Sequence, residues 1–357
     1  MLRIKKILFL SVLMFALPGL MQAQIGGTST WTFLTLSPCA RVASLGGKIA
    51  ALPGDDLNLV AQNPGLLNEK MHNQLTLNYV NYFTDVAYGD VAFSRSYGKI
   101  GNFAAGIHYI NYGDFIAADP TGLITGEFKA AEYSVNLSYS RAIDSNFVVG
   151  ITLKPVYSSF EAYQSYGLAI DLGASYTSDD QLFAAGITLR NFGTQFKGYY
   201  TNHREPLPFE IIAGFSQKLA HAPFRFVVTA QQLQRFDLTY INPAQNTSLD
   251  PITGKPLEKS KIEQFTDKTM RHLILGVEFT PLNSFCFRFA YNHKLRKEMS
   301  LDLKPAMVGF SWGLGLKLSR FQLNYGRAAY HLAEATNLFS ISTTLGSRAQ
   351  RKNSENL

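Results

Sequence analysis

Seven histidines are the first residues to weigh for chemistry: His72, His108, His203, His221, His272, His293 and His331. A general base or a metal site needs a nucleophile or further ligands at a defined spacing, and these histidines are scattered. The chain contains no HExxH helix and no phosphate-cradling P-loop, and its one GxSxG match, Gly309-Phe310-Ser311-Trp312-Gly313, falls within an alternating strand segment rather than at a strand-to-helix elbow. Cys39 and Cys286 lack Cys-x-x-Cys spacing. Two unpaired small side chains are preferred over a disulfide, because no dense cysteine framework surrounds them. Asp55-Asp56 either caps a helix starting near Leu57 or binds a cation, although no third ligand is spaced for a metal. The chain reads as a non-enzyme that needs no cofactor.

The elements that carry these residues are strands. From residue 74 onward, runs of apolar residues alternating with small or polar ones recur, each followed by a turn. Side chains on a strand point to opposite faces at period two, so such runs have one apolar and one wet face. Fourteen segments qualify: 74–82, 86–97, 101–111, 131–142, 147–158, 166–176, 182–192, 206–219, 224–233, 270–280, 285–293, 307–318, 321–329 and 337–346. Most have the length a tilted strand needs to cross a bilayer's hydrocarbon layer. Short connections follow every second strand, at 98–100, 143–146, 177–181, 220–223, 281–284 and 319–320, with longer ones at 112–130, 193–205, 234–269 and 294–306 between them. Outer-membrane barrels pair short periplasmic turns with long outer loops, and an even strand count puts both termini in the periplasm.

A β-sandwich also alternates, but fourteen strands exceed its usual number. The apolar face here is rich in Phe, Tyr, Leu and Ile, with aromatics near strand ends such as Tyr133, Tyr139, Tyr176, Phe215 and Phe321, the placement of an interfacial girdle. The opposite face carries Gly, Ser, Thr and Ala together with Lys154, Asp171, Arg190, Glu210, Lys218, Arg225, Glu278, Arg288 and Lys317. A lumen accommodates this set, and opposite charges can pair across it. His108 and His272 fall on the same face. Ile170→Arg on the lipid face is expected to cost roughly 2–4 kcal/mol, and Asp171→Asn little.

No stretch is long and apolar enough for a membrane-spanning helix. Arg3, Lys5 and Lys6 precede a short apolar run over 7–17, broken by Pro18-Gly19, with Ala23-Gln24 as a plausible cut. This pattern predicts a signal peptide over 1–23 and export to a bacterial envelope, an uncleaved anchor being the alternative. Of the net charge of +7, three positives lie in that segment and two net in a polar tail over 347–357, which leaves +2 for the body and no basic stripe for nucleic acid.

Residues 24–73 do not alternate at strand length. They read as loops and short helical pieces, Ala40–Leu45 and Leu57–Gln62. Trp31, Phe33, Leu34, Leu36 and Leu45 make this segment too apolar for a solvated arm, so it is assigned as a plug inside the barrel over 74–346.

The same segment carries a resemblance. Phe33-Leu34-Thr35-Leu36, the run from Ala40 to Gly47, Asp55-Asp56-Leu57-Asn58 and the run from Gln62 to Leu67 resemble the opening of the PorV/PorQ family, within the larger group of FadL-like barrels. Later pieces resemble the PorQ branch in particular: 221–226, Arg271-His272-Leu273-Ile274-Leu275-Gly276, Tyr291-Asn292-His293 and Gly309-Phe310-Ser311-Trp312-Gly313. Gly65 stands where the family has Ala after Asn-Pro, a change expected to be tolerated at a turn. The resemblance implies an outer-membrane barrel of the type IX secretion system. Such a barrel would tether a PorZ-like surface protein in an attachment complex with PorU and PorV, which processes secreted cargo and attaches it to surface lipopolysaccharide. The candidate partner-binding residues are Phe196, Tyr199 and Tyr200, with Phe236 and Tyr240 in the longest loop. Their alternative role is interfacial anchoring or loop packing. A FadL-like transporter of hydrophobic compounds, with a pocket beside the plug and a lateral opening, is the other functional reading.

Overall fold

The computed structural model describes residues 29–239, 260–299, 307–329 and 335–346. The expected signal segment 1–23, the tail 347–357, Tyr240 and His331 lie outside the described residues.

Fourteen antiparallel strands close into one barrel, each paired with its sequence neighbours and the last with the first. They are β1 (Gln74–Phe83), β2 (Val86–Ser96), β3 (Asn102–Ala118), β4 (Ile124–Ala142), β5 (Phe147–Phe160), β6 (Tyr163–Thr177), β7 (Phe183–Lys197), β8 (Glu210–Lys218), β9 (Phe224–Ala230), β10 (Leu273–Leu282), β11 (Phe285–Asn292), β12 (Phe310–Leu318), β13 (Phe321–Ala328) and β14 (Thr336–Thr344). Each of the fourteen segments expected from alternation contains one strand. β14 pairs with β1 from Gln74↔Thr344 to Asn81↔Asn337, which removes the sheet edges.

The faces divide as alternation dictates. On β4, Tyr133, Val135 and Leu137 are exposed outward, and Ser134, Ser138 and Ser140 are buried inward. On β11, Phe287 and Phe289 point out, while Arg288, Ala290 and Asn292 are buried. Near the short turns, rings meet in series outside the wall: Tyr97–Phe103–Tyr139, Phe147–Tyr176–Phe183–Phe215 and Phe224–Phe279, with centroids 4.8–6.4 Å apart. Phe289, Phe310 and Tyr291 form a similar set at the other end. An apolar band between two aromatic girdles is built for a bilayer, and the barrel is a bacterial outer-membrane protein.

Several boundaries differ from expectation. The span 112–130 is no loop: after a bulge between Asn111 and Asp114, the β3–β4 ladder resumes and runs to Ala118↔Ile124. Phe115 stacks on Phe128 at 5.1 Å in this extension. β7 likewise continues to Lys197. Residues 206–209 are not strand, because Pro206 and Pro208 have no N–H to donate to a ladder. Finally, 270–272 belong to a helix, α2 (Lys261–His272), opened by a capping box in which Ser260 and Glu263 each accept the other's backbone N–H. α3 (His293–Glu298) follows β11, capped by the Asn292 side chain.

The N-terminal segment fills the lumen as a plug of short turns. Its helical pieces are the five-residue α1 (Ala40–Ser44) and 3-10 turns at Thr32–Thr35, Leu57–Ala61, Pro64–Leu66 and Glu69–Met71. Trp31, Phe33, Leu45, Ile49 and Leu59 are almost fully buried. Asp56 accepts the Asn58 N–H at 3.1 Å, the capping role expected for that pair of aspartates. Cys39 and Cys286 are both free.

Candidate functional site: a filled lumen and its outer rim

The lumenal glycines are seats for the plug backbone. A Cβ on Gly150 would collide with the Pro64 carbonyl, on Gly173 with the Asn63 side chain, on Gly186 with the Ala50 carbonyl, and on Gly326 with the Ala40 carbonyl. Asn63 binds both plug and wall. Its Nδ2 donates to the Ala50 and Ala174 carbonyls at 2.7 and 3.2 Å, and its Oδ1 accepts the Gly65 N–H at 2.9 Å. Wall serines complete the dock: Ser175 donates to the Gly65 carbonyl and Ser140 to the Leu67 carbonyl, each at 2.6 Å. Gly65 is no loosely held turn residue, since its own Cβ would sit 2.9 Å from Ala174 Cα.

Charges on the inner wall pair with neighbours and with the plug. Glu278 of β10 accepts from Arg41 of α1 at 3.0 and 3.2 Å and from Arg288 of β11 at 2.8 Å. Arg41 also reaches Asp56 at 3.3 Å. Lys48 is ion-paired with Glu210, and Lys154 with Asp171. Arg190 donates to the Gln62 side chain and the Leu34 carbonyl at 3.3 and 3.2 Å.

One expected substitution effect is overturned by this geometry. Asp171 is buried, paired with Lys154, and accepts the Asn191 N–H at 2.7 Å beside a bulge in the β6–β7 ladder. Asp171→Asn leaves Lys154 without its counter-charge, so we expect a loss of about 2–4 kcal/mol, comparable to Ile170→Arg on the other face. Urea unfolding of the two variants in detergent checks this. A near-neutral Asp171→Asn would show that Lys154 finds another partner.

The cavity between plug and the β2–β6 wall, lined by Leu57, Val60, Ala104, Asn136, Thr152 and Lys154, is about 30 Å³, room for one or two waters and no hydrocarbon ligand. His108, expected on the lumen, is there and packs edge-on against Phe33 at 5.4 Å. His272 is not. It ends α2 at the rim, its ring nitrogens 2.8 and 3.2 Å from the Gln231 and Phe236 carbonyls, because 270–272 are helical.

The wall has a seam between β7 and β8. β7–β8 pairing stops at Arg190↔Glu210, while β7 runs on to Lys197 against β6 alone. Side chains replace the ladder there: Asn191 donates to the Pro208 carbonyl at 3.2 Å, and Gln195 accepts the Glu205 N–H at 2.7 Å. The 198–209 connection also turns inward. Thr30 donates its N–H to the Pro206 carbonyl at 3.0 Å, and Leu207 joins the plug's core beside Trp31 and Phe33.

Three candidate partner residues, Phe196, Tyr199 and Tyr200, line one cleft on this rim and differ in what else they touch. Tyr199 packs against Phe160 at 5.6 Å, with its hydroxyl 2.5 Å from Ser158, so it is part of the fold. Phe196 is 57% exposed on the outward face of β7. Tyr200 is 61% exposed and tilts over Tyr163 at 5.4 Å. The cleft, of about 350 Å³, is lined by Phe196, Tyr199 and Tyr200 together with Lys197, His203 and Arg204. Phe236 lies against Phe265 of α2 at 6.4 Å. Sequence reasoning missed α2, although Ser260-x-x-Glu263 spells its N-terminal cap. Asp237 ties this loop to α2, bonded to Lys268 at 2.7 Å. Slight burial works to raise the Asp237 carboxyl, but bonds from Lys268 and Thr239 outweigh it and hold it down to about 2. With the folded value depressed, the tie is present above the ordinary carboxylate range and is lost only as pH falls through about 2.

No family model matches the chain, and no curated protein does either. Solved structures do. The Ralstonia pickettii toluene transporter TbuX aligns over 85% of this chain and 97% of its own, at TM-score 0.50 and 11% identity. A TodX monoaromatic hydrocarbon channel mutant aligns over 86% and 98%, at TM-score 0.51 and 11% identity. A Pseudomonas aeruginosa FadL homologue aligns over 86% and 97%, at TM-score 0.43 and 11% identity. At these identities the likeness is one of fold: this chain is a closed fourteen-strand barrel of the kind seen in those hydrocarbon channels.

Proposed function

We propose that this chain is a non-enzymatic barrel of the type IX secretion system, PorQ-like in its residues, that tethers a surface partner at its outer rim. The observation that carries this reading is the filled lumen. Plug backbone, wall glycines and paired charges leave a cavity of about 30 Å³, so work is moved to the outer end. There, Tyr200 and its cleft of about 350 Å³ offer an aromatic contact ringed by Lys197, His203 and Arg204. The partner is a PorZ-like surface protein, in a complex with PorU and PorV. Loss of the gene is expected to release a specific surface protein into the medium. Tyr200→Ser is expected to weaken capture of that protein from detergent extract while Tyr199→Ser lowers barrel stability instead.

A second reading, passage of hydrophobic compounds, is favoured by the likeness in fold to hydrocarbon channels and by the β7–β8 seam, where two side-chain bonds stand in for a backbone ladder. A deletion strain that loses hydrophobic uptake and keeps its surface proteins would select this reading over the first.

A further inference from the structure

We propose that α2 is an interfacial anchor whose apolar face lies in the outer leaflet of the membrane beside the barrel. The helix is inverted relative to an ordinary surface helix, which turns its apolar stripe to the protein. Its polar side is the docked one. Arg271, buried, donates to Asp267 at 2.9 Å, and Asp267 meets His293 of α3 at 3.3 Å. Gln231 donates to the Arg271 carbonyl at 3.2 Å. Ile262 and Phe265, one turn apart, are left 80% and 61% exposed, with Phe236 beside them at 67%.

Lipid is the occupant these positions fit, because the patch continues the lipid-facing wall. α2 runs directly into Leu273 and β10, whose Leu275 points outward. Phe236 lies three residues past the exposed Leu233, which donates its N–H to the Ile211 carbonyl of β8 at 3.0 Å. Phe192 and Phe209 extend the same apolar rim at the seam. Charge agrees. Lys261 and Arg235 are exposed at the edge of the patch, the exposed Glu263 accepts the Ser260 N–H at 3.1 Å, and Asp237 and Asp267 are engaged by Lys268, Arg271 and His293. An apolar face flanked by cations is what an interfacial helix presents to anionic headgroups.

The test uses the full chain in vesicles of phosphatidylcholine and lipopolysaccharide, with a nitroxide on Ile262→Cys, Phe265→Cys or, for reference, Thr121→Cys at the exposed β3–β4 turn. Cys286→Ser removes the accessible native thiol, and gel heat-modifiability selects folded protein. Labels at 262 and 265 are expected to show an oxygen-to-nickel-chelate accessibility ratio several-fold above that at 121. A ratio equal to that at 121 places the face in water and overturns the proposal. Protection from both reagents means a protein covers the face, which overturns it as well.

Discussion

Glu278→Ala is expected to destabilise the barrel by about 3–5 kcal/mol, among the largest losses from any single charge removal. Glu278 is buried and is the shared acceptor for Arg41 of the plug and Arg288 of the neighbouring strand. Its removal strands two guanidinium groups in the lumen, with Asp56 and Asn324 as the remaining side-chain partners at 3.3 and 3.0 Å. The contrast is Asp55→Ala, which breaks a pair with Lys317 that is half exposed on both sides and should cost about 0–1 kcal/mol. Urea midpoints of the refolded proteins in detergent measure both. Equal losses would mean that water already solvates Arg41 and Arg288.

The second large effect is a change of state. Gly173→Leu is expected to expel the Asn63–Gly65 turn and open the lumen while the barrel persists. A side chain at 173 has nowhere to go, since the Asn63 and Pro64 side chains and the Gly65 backbone already occupy its position. Overpacking of this kind costs about 1–3 kcal/mol, within reach of what the plug's local contacts supply and far below what fourteen paired strands supply. Planar-bilayer recording should show steady conductance for the variant and closed behaviour for the native chain. A folded, heat-modifiable Gly173→Leu barrel that conducts no more than the native one would show that the plug turn is not the barrier.

Strands and faces were legible because a bilayer imposes period-two alternation on every spanning segment, as in Tyr133 to Ser140. The plug was legible from its apolar residues, and the wall glycines hinted at room for it. What the alternation did not show was partnership. Nothing local ties Glu278 to Arg41, 237 residues earlier, or tells Asp171 that it faces Lys154 and a bulged Asn191 N–H. Hence Asp171→Asn looked harmless. The β3–β4 extension was hidden because its residues above the bulge include Asp114, Glu127 and Lys129, polar at positions that stand clear of lipid. α2 was hidden because its apolar residues face away from the protein, so no core stripe announces it. Of the rim aromatics, only the three-dimensional setting separates Tyr199, which holds the fold, from Tyr200, which is exposed.

The β1–β14 pairing has a kinetic consequence. Thirteen of the fourteen strand pairs join sequence neighbours and form as hairpins at little loop-closure cost, apart from β9–β10, whose connection is long. The last pair joins Gln74 to Thr344, so ring closure carries the longest sequence separation and is the slow, late event. The plug touches strands from both halves of the open ribbon, β5 and β6 through Asn63–Gly65 and β12 to β14 through α1. A plug docked on both halves before closure would shorten the search by which the first and last strands meet.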